Sequence, residues 1–553
     1  SAANETVRQT SLSYTSTKSI FTIDVAGKVG MNITFLSPVT PNDFRRQSLV
    51  FSYMNVQVYS TDGSSHEVQL YADISAGEWA AGSRQAYASW EYSTTSTTAS
   101  PSLAYHRIRK QLQEEYSEVN DQAEWGDFYW TTNNSDSLSW QSGSDRVVRE
   151  SFIDVGVLPN EGDDDFRPID QDYPVFGFAR NLGSFNGSSG YKASPSLWRS
   201  YFDDDIAAMD FFYNDYETSS QISTDLDRKI ESDSVDAAGQ NYSIITTLSV
   251  QISSNGNMNT GDVISPFHPL LLYTNPELLM LLLKSLFENQ EASNYPNQFS
   301  IHDIGAHYPN ATGHPLGDDE AMPVEECGNM LIMILKYAQR MGNTTYLNQH
   351  YQILNKWTQF LISDALVPAS QLSADDFAGH LANQTNLALK GIIGIAAMAQ
   401  IANLTGHEAD AANCTQTSND YIEQWYTLGT SDLSDPPHTT FAYGQKDTHG
   451  LLYNLFADRE LGLDLVVQDT YDQHSAFYPT VAEEFGMFAA AVADGGTRDV
   501  FIGKLAQWID VTPTSLALTD LYDTGTGEYP EITFVARPVV GGTFALLLVL
   551  HGR

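Results

Sequence analysis

The spacing of apolar residues changes once along this chain, near residue 195, and this change limits the fold more than any other feature. Before it, segments 19–24, 30–36, 49–59 and 67–74 are rich in β-branched and aromatic residues that roughly alternate with polar ones. After about residue 237, the apolar residues recur with a helical period. Since 553 residues are too many for one ordinary core, the sequence predicts domains of different class.

The pattern predicts a multidomain α and β protein. Short strands separated by turn clusters predict an N-terminal β-sandwich domain over residues 1–195, followed by a connecting helical linker over 196–236. In 237–553, short helix connections alternate with long loops. The long loops are expected at 253–275, 290–323, 428–448 and 512–537. This alternation is typical of helical hairpins around a ring, so we expect an all-α (α/α)6 toroid with its site on the long-loop side.

Three local predictions are more specific. Segment 377–404 is rich in alanine and glycine, which predicts a closely packed inner helix that Ser373 or Asp375 would cap. Segment 107–118 predicts a helical interruption of the β-domain. The chain has two cysteines, which excludes a disulfide-dense scaffold and leaves one disulfide between them open.

The formal net charge of −41 argues against nucleic acid or an anionic membrane as a partner. We find no run of about 20 apolar residues, so no transmembrane span is predicted. A strongly acidic surface is common in proteins that work in salt, which motivates the hypothesis that this protein is salt-tolerant.

Frequent Asn-x-Ser/Thr motifs favour a secretory route and an extracellular or cell-wall location. The predicted glycosylation sites are Asn32, Asn133, Asn186, Asn310, Asn343, Asn403 and Asn413. The first residues contain no signal peptide, so we expect that a leader has been removed or that the chain has been processed.

The densest group of ionisable residues lies in segment 302–326, on a long loop that leads into a predicted helix. Hydrolysis of an unactivated bond needs a base for water and an acid for the leaving group, and two carboxylates can divide these roles. Glu325 and Glu326 are candidates, although acidic residues in a first helical turn also serve as ordinary dipole partners. His302 and His307 lack a known zinc spacing and no EF-hand register exists, so no metal is predicted.

Two smaller groups complete the candidates. Asp375 and Asp376 precede the helix that is rich in small residues. Arg537 and Lys446 are informative because lysine and arginine are scarce, and an arginine fork binds a carboxylate well. No GxSxG elbow, Walker A loop or GxGxxG motif is present, which weakens α/β-hydrolase and nucleotide-binding alternatives.

Segment 302–333, HDIGAHYPNATGHPLGDDEAMPVEECGNMLIM, resembles the signature of the fungal secreted glutaminase A family, the salt-tolerant glutaminases. Later blocks such as DLYDTGTGEYP and ARPVVGGTFALL are similar to the same family. The resemblance implies a β-sandwich followed by a six-hairpin toroid, and L-glutamine amidohydrolase activity outside the cell with γ-glutamyl transfer as a side reaction. It also suggests a further N-terminal segment of the same precursor as a partner. Residues 482–485 depart from the family, which tends to show a Ser-Asp-Trp-like stretch there.

The sequence supports one predicted function and two alternatives. We predict an L-glutamine amidohydrolase without a cofactor, and the alternative is an (α/α)6 glycoside hydrolase, since opposed carboxylates and many aromatics also suit sugars. A carbohydrate-binding protein without activity ranks third. The predicted catalytic residues are Glu325, Glu326, Asp319 and Asp375. The predicted substrate-binding residues are His302, Asp303, His307, Asp376, Lys446, Tyr478, Asp523 and Arg537.

Overall fold

The computed structural model describes residues 7–551 with internal gaps. The gaps are 77–85, 96–101, 116, 120–121, 186–187, 194–200, 251–256, 306–310, 376–377, 482–485, 513, 515, 524–525 and 530–534. The chain divides into two compact units, Ser1–Arg228 and Lys229–Arg553. The division falls inside the segment that the sequence predicts as a linker.

The first unit is built mainly from β-strands. They are β1 (Arg8–Tyr14), β2 (Lys18–Val25), β3 (Val29–Leu36), β4 (Tyr53–Ser60), β5 (His66–Ser75), β6 (Ala88–Thr94), β7 (Leu103–Lys110), β8 (Glu118–Val119), β9 (Gln122–Ala123), β10 (Phe128–Asn133), β11 (Leu138–Ser144), β12 (Pro174–Phe185) and β13 (Ser188–Ala193). Its helices are α1 (Phe44–Gln47), α2 (Asp145–Val155) and α3 (Asp205–Asn214). The next helix, α4 (Tyr216–Leu248), continues into the second unit.

Three antiparallel sheets share one hydrophobic core. The strand orders are β1-β2-β3-β4-β13, β10-β7-β6 and β11-β12-β5. Val56, Trp90, Ile108 and Phe178 bring apolar side chains from all three sheets into this core. The alternation of apolar and polar residues therefore works as predicted in the strands that line the core, because β4, β6, β7 and β12 turn one face inward. The helix predicted over 107–118 is wrong: β7 runs to Lys110 and pairs with β6 and β10.

His106 lies on β7 in the middle of this apolar core. Its ring is fully buried and packs against Phe178, at 4.8 Å between ring centroids, and against Trp140, at 5.8 Å. Nε2 lies 3.3 Å from the Gly177 carbonyl oxygen. Burial outweighs this contact and lowers the pKa of His106 to about 3. The ring is therefore neutral at neutral pH.

His106 should make the fold sensitive to acid. Below pH ~6.5 the unfolded chain binds a proton at this residue that the folded chain excludes, so stability falls by up to ~1.4 kcal/mol per pH unit. This loss continues until the pH approaches the folded-state pKa of about 3. His106→Phe should flatten the pH dependence of the unfolding free energy, measured by denaturant titration between pH 7 and pH 4. His380→Gln, at an exposed position, should keep the wild-type slope, and equal slopes in all three proteins would contradict the prediction.

The second unit is helical. Its remaining helices are α5 (Gly261–Thr274), α6 (Pro276–Glu291), α7 (Pro323–Met341), α8 (Thr345–Gln349), α9 (Tyr351–Asp364), α10 (Thr385–Leu404), α11 (Glu408–Gly429), α12 (Leu455–Leu461), α13 (Gln468–Val481), α14 (Met487–Val492), α15 (Gly495–Val511) and α16 (Ala545–His551), with a 3-10 helix at Pro538–Phe544. Two short strands, β14 (Thr430–Ser431) and β15 (His438–Thr439), pair with each other. One large apolar core extends from Ile264 to Leu548.

Helices α7 and α10 approach each other very closely at the centre of this core. A Cβ added to Gly394 would lie 3.2 Å from the Cα of Gly328, and one added to Gly328 would lie 2.6 Å from Cγ of Lys390. Only glycine fits such an approach, as the small-residue pattern predicts. Helix α10 is long and apolar enough to cross a membrane, and the sequence analysis missed this run. In the structure 83% of the run is buried, which is typical of a core helix.

Three local predictions need correction or an answer. The inner helix begins at Thr385, so neither Ser373 nor Asp375 caps it; the chain before it forms a loop in which Asn383 has a positive φ of 60°. The predicted loop 253–275 contains α5, which was missed because its two internal prolines usually end a helix. Both cysteines are free and buried.

Candidate active site

A cavity of about 570 Å³ lies in the helical unit, a size that suits a small-molecule site. Its wall comes from α5, α10, α12, α15 and the long segments that follow α11 and α15. The ionisable side chains among its lining are Asp262, His268, Asp375, Lys390, His449, Tyr453, Glu460, Asp520, Tyr522 and Arg537. Among the described residues, the cavity lining therefore combines several carboxylates with one lysine and one arginine.

The two cations lie on different parts of the wall. Arg537 directly precedes the 3-10 helix, and its Nη1 lies 3.5 Å from Oδ2 of Asp520. Lys390 comes from α10, where its Nζ donates to Oε1 of Glu325 and, at 2.8 Å, to Oδ1 of Asn329. Arg537 keeps 18% of its side-chain surface exposed and Lys390 only 6%, so Arg537 is the more accessible cation.

Behind Lys390, two adjacent glutamates are completely buried. Glu325 and Glu326 lie in the first turn of α7, and neither has any exposed surface. The side-chain amide of Asn329 lies between them, 3.3 Å from Oε1 of Glu325 and 3.3 Å from Oε2 of Glu326. The other oxygen of each glutamate has no hydrogen-bond partner in the part of the chain that the structure describes. Burial of a carboxylate is costly unless it is paired, so this arrangement points to a functional constraint.

A histidine extends the cluster toward α5. His302 Nδ1 donates to Oδ2 of Asp303 at 2.7 Å, and its Nε2 lies 3.3 Å from Oδ1 of Asp262. His314 Nε2 lies 2.8 Å from the other oxygen of Asp303. Burial opposes a charge on His302, but the hydrogen bonds to Asp262 and Asp303 outweigh it and raise the pKa of His302 to about 11. Burial would likewise raise the pKa of Asp303, yet the bonds from both histidines lower it.

The pKa of Glu326 is shifted in the opposite direction to that of Asp303. Its burial and the repulsion from Asp262 raise the pKa of Glu326 well above its usual value. Its carboxylate occupies the space beside Gly261, the first residue of α5, where any Cβ would overlap Oε2 of Glu326. Asp262, His302 and Glu326 consequently bring one possible ligand atom each to within 4.8 Å of one another.

The structure brings six of the predicted site residues into or beside the cavity. Asp375 and Arg537 line it, and burial raises the pKa of Asp375. The other four, which form the buried cluster in contact with Lys390 and Asp262, are Glu325, Glu326, His302 and Asp303. Their catalytic and binding roles stay predictions.

Four other predicted residues lie outside the cavity lining. Asp319 accepts from the Tyr295 hydroxyl at 2.9 Å and from the His302 backbone at 3.1 Å, which holds the loop. Tyr478 accepts from the Leu452 backbone at 2.9 Å. Lys446 is exposed, 3.7 Å from Asp432, and Asp523 accepts from Thr526 in a turn. His307 and Asp376 fall outside the described residues.

Sequence reasoning missed several residues of the site. Lys390 is a lone charge within a long apolar helix, and this isolation was a usable signal, because a lysine there must find a partner. Asp262 was missed because α5 was predicted as a loop. The pair of His268 and Glu460, 2.9 Å apart, joins residues far apart in sequence, and no local pattern indicates it.

Residues 229–547 match the model of the glutaminase A six helical-hairpin domain. Residues 17–193 and 184–233 match a domain of unknown function, DUF5127. The chain is 53% identical over 602 residues to glutaminase A of Aspergillus oryzae, which covers 98% of this chain and 86% of the relative. The chain belongs to the glutaminase A family. The family predicted from the sequence is thereby confirmed.

A more distant relative agrees with this assignment to the glutaminase A family, and one solved structure shares the fold. A probable glutaminase of Arthroderma benhamiae is 30% identical over 669 residues, with 94% of this chain and 77% of the relative covered. A bacterial glucoamylase crystallised with acarbose has a TM-score of 0.51 at 9% identity, covering 98% of this chain and 85% of that chain. This likeness shows a shared fold, and the predicted fold class, a β-sandwich followed by an (α/α)6 toroid, is confirmed.

Lys390 should be essential for the stability of this glutaminase A family member. Lys390→Met leaves Glu325 buried without its cation, and we expect a loss of about 3–5 kcal/mol in the free energy of unfolding. Denaturant titration followed by far-UV circular dichroism measures it. The double variant Lys390→Met/Glu325→Gln should recover part of the loss. Lys284→Met, in an exposed pair with Glu288, should cost less than about 1 kcal/mol; a Lys390→Met protein as stable as this control would contradict the account.

Proposed function

We propose that this protein hydrolyses the side-chain amide of L-glutamine to L-glutamate and ammonia. The observation that carries the proposal is the 53% identity to a protein named glutaminase A across 98% of the chain. This alignment includes nearly all of the unit that contains the cavity. With an amine in place of water as the acceptor, the same chemistry would give γ-glutamyl transfer.

The charges of the cavity suit the free amino acid. L-Glutamine carries an α-carboxylate and an α-ammonium group next to each other, and Arg537 and Asp520 lie next to each other on the wall. A guanidinium binds a carboxylate through paired hydrogen bonds, and Asp520 would accept from the ammonium. The side-chain amide would then extend into the cavity toward the remaining carboxylates.

Hydrolysis of the amide requires water to attack the carbonyl carbon and a proton to reach the leaving nitrogen. Asp375 is our candidate for the acid, because its raised pKa favours the protonated form. Asp262 lines the same cavity and is our candidate for holding the attacking water. As the carbon–nitrogen bond breaks, the proton from Asp375 would complete ammonia, and the hydroxyl from water would complete the γ-carboxyl group of glutamate. The other proton of water would pass to Asp262 and then return to Asp375, which restores the acid for the next turnover.

A second candidate, glycoside hydrolysis, is favoured by one observation. The rings of Trp508 and Tyr522 stack with centroids 4.6 Å apart, and both residues line the cavity. Aromatic surfaces of this kind also bind sugars. We rank this candidate second because the relatives from Aspergillus oryzae and Arthroderma benhamiae are both named as glutaminases.

We also propose that the protein is secreted, glycosylated and salt-tolerant, and acts outside the cell or at the cell wall. The predicted acceptors Asn343, Asn403 and Asn413 are exposed, while Asn32 and Asn133 are half-buried. Asn186 and Asn310 lie outside the residues whose side chains are described. The net charge of −41 supports solubility in salt. L-Glutamine is the partner that the proposal requires.

Product analysis with a matched pair of variants tests the proposal. Wild-type protein should release ammonia and glutamate from L-glutamine and should leave a panel of glycosides intact. Asp375→Asn removes the proposed acid and should lower kcat by about 10²- to 10⁴-fold. Asp432→Asn makes the same change at a side chain that is 83% exposed and outside the lining, and should keep wild-type kcat. Sugar release without ammonia, or an unaffected Asp375→Asn enzyme, would contradict the proposal.

A further inference from the structure

Asp262, His302 and Glu326 form a cluster that the proposed reaction does not use as a whole. They come from α5, from the segment before α7 and from the first turn of α7, so no sequence spacing predicts their meeting. All three are buried, and one nitrogen or oxygen of each lies within 4.8 Å of the others.

The carboxylates of this cluster have fewer hydrogen-bond donors than buried carboxylates need. Oε1 of Glu326 is buried without a hydrogen-bond partner among the described residues, and the buried Oδ1 of Asp262 has the ring nitrogen of His302 at 3.3 Å as its contact. Glu326 has no exposed surface at all. Buried carboxylate oxygens without a donor are costly, and a cation is the ligand that would satisfy both at once.

The orientation of His302 fits a metal ligand. Its Nδ1 donates to Asp303 at 2.7 Å, which leaves Nε2 directed toward Asp262 at 3.3 Å. A bound metal ion would take the place of the Nε2 proton, which would be released to solvent. A histidine that binds a metal almost always donates its other ring nitrogen to a carboxylate or carbonyl in this way. Asp303 is itself fixed by His314 at 2.8 Å and by the Gly305 backbone, so the ring cannot turn freely.

Space for the cluster is created by one glycine. Any Cβ at Gly261 would overlap the carboxylate of Glu326, so the backbone of α5 could not otherwise approach α7 this closely. Asp262 follows Gly261 directly and also lines the cavity. Asp262 therefore takes part in both features: its buried Oδ1 belongs to the cluster, and the residue also lines the cavity.

We propose that Asp262, His302 and Glu326 bind one divalent transition-metal ion of the Zn²⁺ or Mn²⁺ type at the cavity wall. One imidazole with two carboxylates suits these ions. Ca²⁺ is disfavoured because it takes six to eight oxygen ligands. The site stands on the ligand geometry alone and does not depend on the proposed reaction.

Metal content tests this inference without any activity measurement. The full chain is treated with a chelator, dialysed against Zn²⁺, Mn²⁺, Mg²⁺ or Ca²⁺, and analysed by mass spectrometry for bound metal. We expect one Zn²⁺ or Mn²⁺ per chain and a rise in Tm of several degrees, since a ligand that binds only the folded state stabilises it. A folded wild-type chain that retains none of the four ions would overturn the proposal, and the glutaminase proposal would still stand.

Two ligand variants and two matched controls locate the ion. His302→Gln and Glu326→Gln should each weaken binding by more than about 100-fold, and Asp303→Asn, which removes the carboxylate behind His302, by about 10- to 100-fold. His268→Gln and Glu460→Gln change a buried histidine and a buried glutamate outside the three ligands and should keep wild-type metal content. If a ligand variant fails to fold, as judged by circular dichroism, Asp303→Asn carries the test. Unchanged affinity in the folded ligand variants and in Asp303→Asn would overturn the assignment.

Discussion

The ammonium group of Lys390, which lies against the buried carboxylate of Glu325, is the interaction on which the centre of the helical unit depends. Two adjacent glutamates at the start of α7 have no exposed surface, and carboxylates at such depth are stable only with partners. Lys390 reaches Glu325 and Asn329 because glycines allow α10 to pack directly against α7. Backbone packing and charge pairing are therefore two aspects of one constraint.

This constraint also explains how a cluster of ionisable side chains can exist inside a helical core. The first turn of α7 holds Glu326 beside Asp262 and His302, and the charge on His302 is supported by Asp262 and Asp303. Asp262 and Lys390 both reach the cavity wall. The helices α5, α7 and α10 thus hold the buried cluster in place. The segment after α15 contributes Asp520, Tyr522 and Arg537 to the cavity wall.

The sequence predicts the two fold classes well because periodicity reflects burial directly. The strands alternate since each covers a shared core, and α7 and α10 are recognisable from their apolar spacing and small residues. The errors have physical causes: two internal prolines conceal α5, and alanine and glycine in 377–384 mimic a helix that begins only at Thr385.

The site residues are harder to predict from the sequence than the fold, because their positions depend on contacts between distant segments. The acidic segment 302–326 is conspicuous in the sequence, and four of its residues do enter the buried cluster. Asp319 is equally conspicuous, yet the hydroxyl of Tyr295 and the backbone of His302 occupy its oxygens. Which acid faces the cavity depends on contacts with Asp262 and Lys390, which belong to other segments and which only the folded chain brings near.

The central claim is that the cavity of the helical unit binds the amino acid that the enzyme acts on. A crystal structure of the chain with L-glutamate, the proposed product, tests this claim most directly. The account predicts electron density for L-glutamate inside the cavity, with its α-carboxylate on Arg537 and its α-ammonium on Asp520. L-Glutamate bound at another place on the chain, with this cavity filled only by water at saturating concentration, would contradict it.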